Sequence, residues 1–299
     1  MAEIKVAMFS GQGSQKVGMG QELYQNHDIC KDIFHQASEA LGMDMAALCF
    51  QDRERLNQTE YAQPALLTVG VAALALAKQQ GFQPDILMGL SLGEYTALTA
   101  AGVMDFADAV RLVHTRGKIM STYAPEGGMV ASIGLASTVL EEICQNITTG
   151  FVACANYNTP DQTVLAGEHN ALEAATAAIK AAGGKAMPLK VAGPFHTKLM
   201  AAAAESFAQE LAKISVKTGT LPVMSNVTGQ IFQPATYVET LTTHMMAPVR
   251  WVSCVDTATA MGATTFLELG CGNTLGNFVK KINGTHAIPT LDQITGGLI

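Results

Sequence analysis

The tightest constraint on this chain is five residues long: Gly89-Leu90-Ser91-Leu92-Gly93. They stand between a short apolar run with strand character, Asp85 to Met88, and a run with helical character, Glu94 to Ala101. A GxSxG sequence in that setting predicts a nucleophile elbow, a sharp strand-to-helix turn that lifts a serine hydroxyl to a helix N-terminus. Glycines at both ends let the turn close without Cβ clashes. The Leu92 N–H then faces any oxyanion that forms next to Ser91.

The same alternation extends along the chain. Ile4 to Phe9 reads as a first buried strand, followed by a Gly-rich turn. Thr59 to Gln80 reads as a helix, with Pro64 near its start and Gly81 just past its end. Phe106 to Tyr123 is a further helix. This βα rhythm predicts an α/β fold with a mainly parallel sheet. The rhythm then changes. Strands at Gly128–Gly134, Val152–Asn156, Gln162–Ala166 and Ala186–Leu189 alternate with helices at Thr138–Asn146 and Asn170–Ala182. The order βαββαβ is a ferredoxin-like signature and fits an inserted unit. A helix over Lys198–Lys213 resumes the main part, with later strands expected at Pro222–Ser225, Thr265–Leu269 and Ala287–Pro289. The expected organisation is a large subdomain of residues 1–127 and 198–299 with a small one, 128–197, inserted into it.

Composition narrows the class of function. The 299 residues are 48% hydrophobic and 14% charged, a core-rich globular balance. The net charge of −7 gives no overall basic footprint for nucleic acid. The longest apolar stretch, Ala62 to Ala77, is short of the roughly 20 residues of a membrane span and carries Gln63, Pro64 and Thr68. The N-terminal run is interrupted by Lys5 and does not read as a signal peptide. Six cysteines without a CxxC pattern read as reduced core thiols of a cytoplasmic protein. Seven histidines without HExxH or a Cys/His cluster offer no metal site.

A serine nucleophile needs a base. His27, His35 and His169 stand in polar stretches, His114 lies on a helix and His286 is near the tail. His196 follows a Gly-Pro turn in VAGPFHTKLM, a loop position where a functional side chain can be held. His244 is its one competitor. Gly11-Gln12-Gly13-Ser14-Gln15, after the first strand, permits close backbone approach to a ligand. It is not GxGxxG and lacks the GK[ST] of a phosphate-binding loop, so a nucleotide site is disfavoured.

Taken in order, FSGQGSQKVGMG, YAQPAL, GLSLGEYTAL, GVMDFADAVRLVHTRGKIM, ANYNTPDQTVLAG, GPFHTKLM, VMSNVTG, APVRW and FLELGCGNTL span residues 9 to 275. This set resembles the malonyl-CoA:acyl carrier protein transacylase family, which includes acyltransferase domains of fatty acid and polyketide synthases. The resemblance implies an α/β-hydrolase-like parallel-sheet core with an inserted ferredoxin-like subdomain. It also implies a reaction between malonyl-CoA and acyl carrier protein with neither metal nor bound cofactor; oligomeric state is not readable from the sequence, and a monomer is the simpler expectation for a self-contained catalytic domain. Ser91 matches the acyl-accepting serine and His196 its base. Gln12 and Leu92 match the two residues whose amides form the oxyanion hole. Arg116 matches the arginine that pairs with the malonyl carboxylate; on sequence alone it reads as a helix-surface charge. A guanidinium fork binds a carboxylate bidentately in a way Lys cannot copy.

The chain departs from the family pattern at two places. The carbonyl that orients the base belongs to a residue that is commonly Gln, and here that position is His244 in THMMAPVRW. Leu90 stands where many relatives have His. Phe195 resembles the malonyl-type pattern, in which a ring limits branching at the acyl α-carbon. Docking of an acidic carrier protein on this acidic chain calls for a local basic patch, for which Lys190, Lys198, Lys280 and Lys281 are candidates. Three other readings remain open: a trans-acting polyketide acyltransferase, a non-catalytic scaffold in a synthase assembly, and an esterase or carrier-protein hydrolase with Asp161 as third triad member, in Ser…Asp…His order.

Overall fold

The computed structural model describes residues 3–296. Three parallel strands form its central sheet: β1 (Ile4–Phe9), β2 (Ile86–Gly89) and, at the far end of the chain, β7 (Ala263–Leu269), in the order β2-β1-β7. Side chains alternate across a strand, and both faces of this sheet are covered. Ala7, Phe9, Leu87, Leu267 and Leu269 enter the main core. Val6, Met8, Ile86, Met88 and Phe266 enter a second core with Trp251, Val255 and Val279. A parallel sheet buried on both faces accounts for the near-continuous apolar runs of its strands.

The helix Thr59–Gln79 backs the main core, packing closely on the helix Phe106–Tyr123. With 21 residues it is longer than the apolar stretch in the sequence, and long and apolar enough to cross a membrane by length and composition. Here 78% of its most apolar window is buried inside the protein, so it serves as a core helix.

The second sheet is antiparallel. Its strands are β3 (Gly128–Ile133), β4 (Val152–Thr159), β5 (Gln162–Gly167) and β6 (Lys185–Pro188), in the order β4-β5-β3-β6. Helices Ser137–Asn146 and His169–Ala181 supply the βαββαβ connection and close a separate small core around Leu140, Leu165 and Ile179. That strand order is ferredoxin-like. Met129, Ala131, Ala155, Val164 and Ala166 pack this sheet on the main core, and a hydrogen-bonded seam adds to it: Tyr157 N–H donates to Val249 O at 2.9 Å and Val249 N–H to Ala155 O at 2.8 Å.

Several sequence expectations need correction. Pro222–Ser225 and Ala287–Pro289 are not full strands; each contributes a single parallel bridge, Val223 to Leu87 and Ala287 to Thr265. Pro222 has no N–H to extend a ladder, and the chain then turns so that Asn226 can reach the elbow. The helix expected over Lys198–Lys213 opens as a 3₁₀ turn, Lys198–Met200, and is α-helical only over Ala201–Leu211. Residues 21–56, assigned no elements from sequence, fold into four helices: Gln21–Asn26, Asp28–Leu41, Met45–Phe50 and Arg53–Leu56.

Candidate active site

The site lies at the carboxyl ends of the parallel strands, where ligands enter open α/β sheets. Strand β1 runs into Gly11-Gln12 and β2 into Leu90-Ser91, and Ser91 caps the helix Leu92–Ala100. The backbone at Ser91 has φ 52° and ψ −103°, a region that side chains rarely occupy. Two close approaches enforce it. A Cβ on Gly89 would collide with the Gly93 backbone, and a Cβ on Gly93 with the carbonyl of Phe9. The glycines are therefore needed for clearance, and the left-handed residue is the serine itself.

Ser91 Oγ stands 2.8 Å from His196 Nε2. His196 also has a positive φ, 60°; among the described residues, these two are the only non-glycine positions with one. Its other nitrogen, Nδ1, is 3.0 Å from the backbone carbonyl of His244. A ring with Nδ1–H donating to a carbonyl leaves Nε2 free to accept the serine proton. Burial, followed by the Arg116 charge, pulls the His196 pKa down to about 4, opposed by backbone hydrogen bonds that include the one to His244. The imidazole is thus neutral at pH 7, the form a general base requires.

Arg116 is 1% exposed, so it is no surface charge. Its Nη1 donates to Gln63 Oε1 at 2.9 Å, and the guanidinium lies 4.9 Å from the Tyr95 ring centroid. Nε and Nη2 have no hydrogen-bond partner. A buried cation with two idle donors and no carboxylate within ion-pair distance among the described residues is costly, and an anionic ligand would relieve that cost. Gln63 connects this residue to the GQG turn: its Nε2 is 3.4 Å from Gln12 Oε1, and Gln12 Nε2 donates to Thr59 Oγ1 at 3.1 Å. Neither the Gln12 nor the Leu92 amide finds a protein acceptor among the described residues. A cleft of about 520 Å³ opens beside Gln12, lined also by Asn57, Ser121 and Lys190. A larger cleft of about 670 Å³, along Lys16–Leu23 and Gly270–Gly272, includes none of these groups except by chain continuity.

The structure thus gathers Ser91, His196, His244 and Arg116. It separates Asp161 from them. That carboxylate sits in the turn between β4 and β5, accepts from Thr159 Oγ1 at 2.6 Å and faces Lys281 Nζ at 3.5 Å. With a carbonyl on His196 Nδ1, no carboxylate occupies the third triad position. Among the described residues, no group of three or more His, Cys, Asp or Glu side chains is placed to hold a metal ion.

Two residues of the site escape a sequence reading. Asn226 Oδ1 accepts from Ser91 N–H at 2.6 Å, and its Nδ2 donates to Gly89 O at 2.8 Å. Its own N–H donates to Glu94 Oε2 at 2.8 Å. Glu94 and Asn226 are both fully buried. The available signal was an acid and an amide set in otherwise apolar runs, GLSLGEYTAL and VMSNVTG.

Residues 6–282 match the family model described as acyl transferase domain. The chain is 43% identical over 293 residues to the malonyl CoA-acyl carrier protein transacylase of Salmonella typhimurium, covering 96% of this chain and 95% of the relative. The crystal structure of malonyl CoA-acyl carrier protein transacylase from Clostridium perfringens aligns with a TM-score of 0.93 at 41% identity, over 96% of this chain and 92% of that one. A malonyl-transacylase solved in complex with a type II PKS acyl-carrier protein aligns with a TM-score of 0.95 at 37% identity, over 99% of each chain.

Proposed function

This chain belongs to the acyl transferase family, and on that premise we propose that it moves a malonyl group from malonyl-CoA, through an ester on Ser91, to the phosphopantetheine thiol of acyl carrier protein. The product supplies fatty acid synthesis. The observation that carries the reading is the buried Arg116, with two idle donors and a charge that acts on His196, beside the 2.8 Å Ser91–His196 contact. A hydrolytic dyad alone has no use for such a cation.

In the first half-reaction, Ser91 Oγ attacks the thioester carbonyl and His196 Nε2 takes the hydroxyl proton. Negative charge develops on the carbonyl oxygen, and the Gln12 and Leu92 amides are the donors we assign to it. One such donor is typically worth about 2.7–4 kcal/mol. The C–S bond breaks, and the proton on His196 passes to the departing CoA sulfur. The second half runs in the other direction: the carrier thiol gives its proton to His196 and attacks the ester carbonyl, the C–O bond to Ser91 breaks, and His196 returns that proton to Ser91 Oγ. Throughout, Arg116 holds the free malonyl carboxylate. Acetyl has no such group and leaves the cation unpaired. The reaction calls on no metal or redox cofactor, and one chain carries every residue assigned to it.

The match to a malonyl-transacylase bound to a polyketide carrier protein favours a second destination for the same chemistry, a polyketide carrier. The test is mass spectrometry of holo carrier protein after incubation with the enzyme and either malonyl-CoA or acetyl-CoA. Malonylation with little acetylation is expected. Arg116→Ala should narrow the malonyl-to-acetyl ratio by roughly 10–100-fold, the worth of a hydrogen bond to a charged group. No malonyl transfer to either type of carrier, or an unchanged ratio in the variant, would overturn the assignment.

A further inference from the structure

Behind Ser91 and His196 runs a buried polar circuit that the proposed chemistry leaves unused. Ser91 N–H donates to Asn226 Oδ1, and Asn226 N–H donates to Glu94 Oε2. Glu94 Oε2 lies 3.4 Å from His244 Nε2. The His244 carbonyl is on His196 Nδ1, and the Ser91–His196 contact closes the loop. The side chains of Glu94 and His244 are 0% and 1% exposed. Glu94 Oε1 and both His244 ring nitrogens complete no hydrogen bond of good geometry, so the 3.4 Å approach is the polar contact these two groups have with each other. The His244 ring also packs edge-on against His196, with centroids 5.3 Å apart, and against Tyr95 at 5.8 Å.

We propose that Glu94 and His244 are positioning residues for the acyl transfer: their buried contact keeps the His244 carbonyl on His196 Nδ1, and the one proton between them decides whether an anion stands behind the base. The proposal rests on the Ser91–His196 dyad of the preceding reading. An ionised carboxylate with one backbone donor is expensive in such a site. A carboxyl beside a neutral imidazole, or a carboxylate beside an imidazolium, holds the same single proton with no net charge. Burial raises the Glu94 pKa to about 8, opposed by the Asn226 N–H, the Ser225 hydroxyl and the charge of Arg116. Burial, then the His196 and Arg116 charges, drives the His244 pKa well below its ordinary value. The shared proton therefore resides on the Glu94 side at pH 7.

The groups facing this pair are Arg116 from the helix Phe106–Tyr123, Tyr95 from the elbow helix, Cys254 from the helix Trp251–Ala260, and His196. Burial pushes Tyr95 and Cys254 up, out of the range in which Glu94 titrates. His196 titrates near 4, far below it. As pH rises through about 8, Glu94 loses its proton and an anion appears behind His196. That anion favours the imidazolium that forms when Ser91 is deprotonated, so Ser91 becomes more reactive.

The test is the rate at which a fluorophosphonate probe labels Ser91 between about pH 6.5 and pH 9.5, a range chosen to bracket the Glu94 titration. Labelling needs the base and nucleophile but neither malonyl-CoA nor carrier protein. In the unmodified enzyme the rate should rise roughly fivefold through the Glu94 titration, the scale of one charge acting at several ångströms in a protein interior. Glu94→Gln keeps the shape, cannot titrate and should remove the rise. His244→Ala should slow labelling at least about tenfold at every pH by loosening the carbonyl's support, and His244→Gln should restore most of it. A Glu94→Gln profile that rises like that of the unmodified enzyme overturns the proposal, as does labelling of His244→Ala within about twofold of the unmodified rate. Thermal melting identifies a variant that fails to fold, and the other position then decides. Labelling that behaves as expected in an enzyme that transfers no malonyl would refute the functional reading alone.

Discussion

At the elbow, Ser91 takes φ 52° between two glycines whose backbones pack too closely for any side chain. At the base loop, His196 takes φ 60° in a stretch with no regular structure between Pro188 and Lys198. Backbone of this kind costs of order 1–3 kcal/mol per residue and persists only where the surroundings dictate it. The surroundings differ in kind. Ser91 is forced by residues within three positions of it and by the Phe9 strand alongside. His196 is steadied locally by Thr197 Oγ1 on the Pro194 carbonyl, 2.7 Å, but its ring is oriented by a carbonyl 48 residues away. The nucleophile is thus set by its own tight turn packed on the Phe9 strand and braced by Asn226, and the base by a carbonyl distant in sequence. Damage to the first should be abrupt, and damage to the second graded.

The sharpest break should come from Gly93→Ala. Its Cβ would meet the Phe9 carbonyl, a backbone group that cannot swing aside, so destabilisation of about 3 kcal/mol with loss of Ser91 labelling is expected. Chemical denaturation and probe labelling measure both; near-normal values would show that the elbow is not locally enforced. Asn226→Ala comes next. It frees a buried Ser91 N–H and the Gly89 carbonyl together, at about 1–3 kcal/mol for each group left unsatisfied. Because Asn226 reaches the elbow from 135 residues away, a normal denaturation midpoint in this variant would mean the elbow needs no remote brace.

The base side should show itself in pH dependence. The His196 pKa is lowered to about 4, so initial acyl-enzyme formation should hold as pH falls from 7 toward 5 and drop as His196 gains a proton near pH 4. The sign for stability is the same. Over the interval between the depressed native value and the ordinary value of 6.5, the unfolded chain binds more protons, so acid erodes the fold as pH falls through that interval. An acid limb centred near the ordinary histidine value would contradict the buried, neutral base. The smallest effect belongs to Asp161→Asn. The group is half-exposed in a hairpin turn, and removing it should change stability within about 0.5 kcal/mol and leave transfer intact. A large loss of activity would restore a carboxylate to the triad.

The difference between the two regions also explains what was legible in sequence. GLSLG announces its turn because the requirement is local: a strand, two small residues, a helix. The βαββαβ rhythm is legible for the same reason, since each element of the small sheet is regular and bounded by turns. What sequence could not give is the environment of a side chain. Arg116 lies on a helix whose pattern leaves it on either face, and only the packing of Thr59–Gln79 against that helix buries it. Asn226 looks like the end of a strand until its three hydrogen bonds to the elbow are seen. The segments at Val223 and Ala287 form only isolated bridges, Val223 to Leu87 with Met224 to Ile231 and Ala287 to Thr265, and fall short of strands.

Covalent transfer through Ser91 is tested most directly by intact-protein mass spectrometry after mixing with malonyl-CoA, beside Ser91→Ala and without carrier protein. A single malonyl adduct on the unmodified chain, absent from the variant and discharged by added carrier protein, is the expected result. CoA release with no adduct on the unmodified chain, or an adduct that survives in Ser91→Ala, would contradict it.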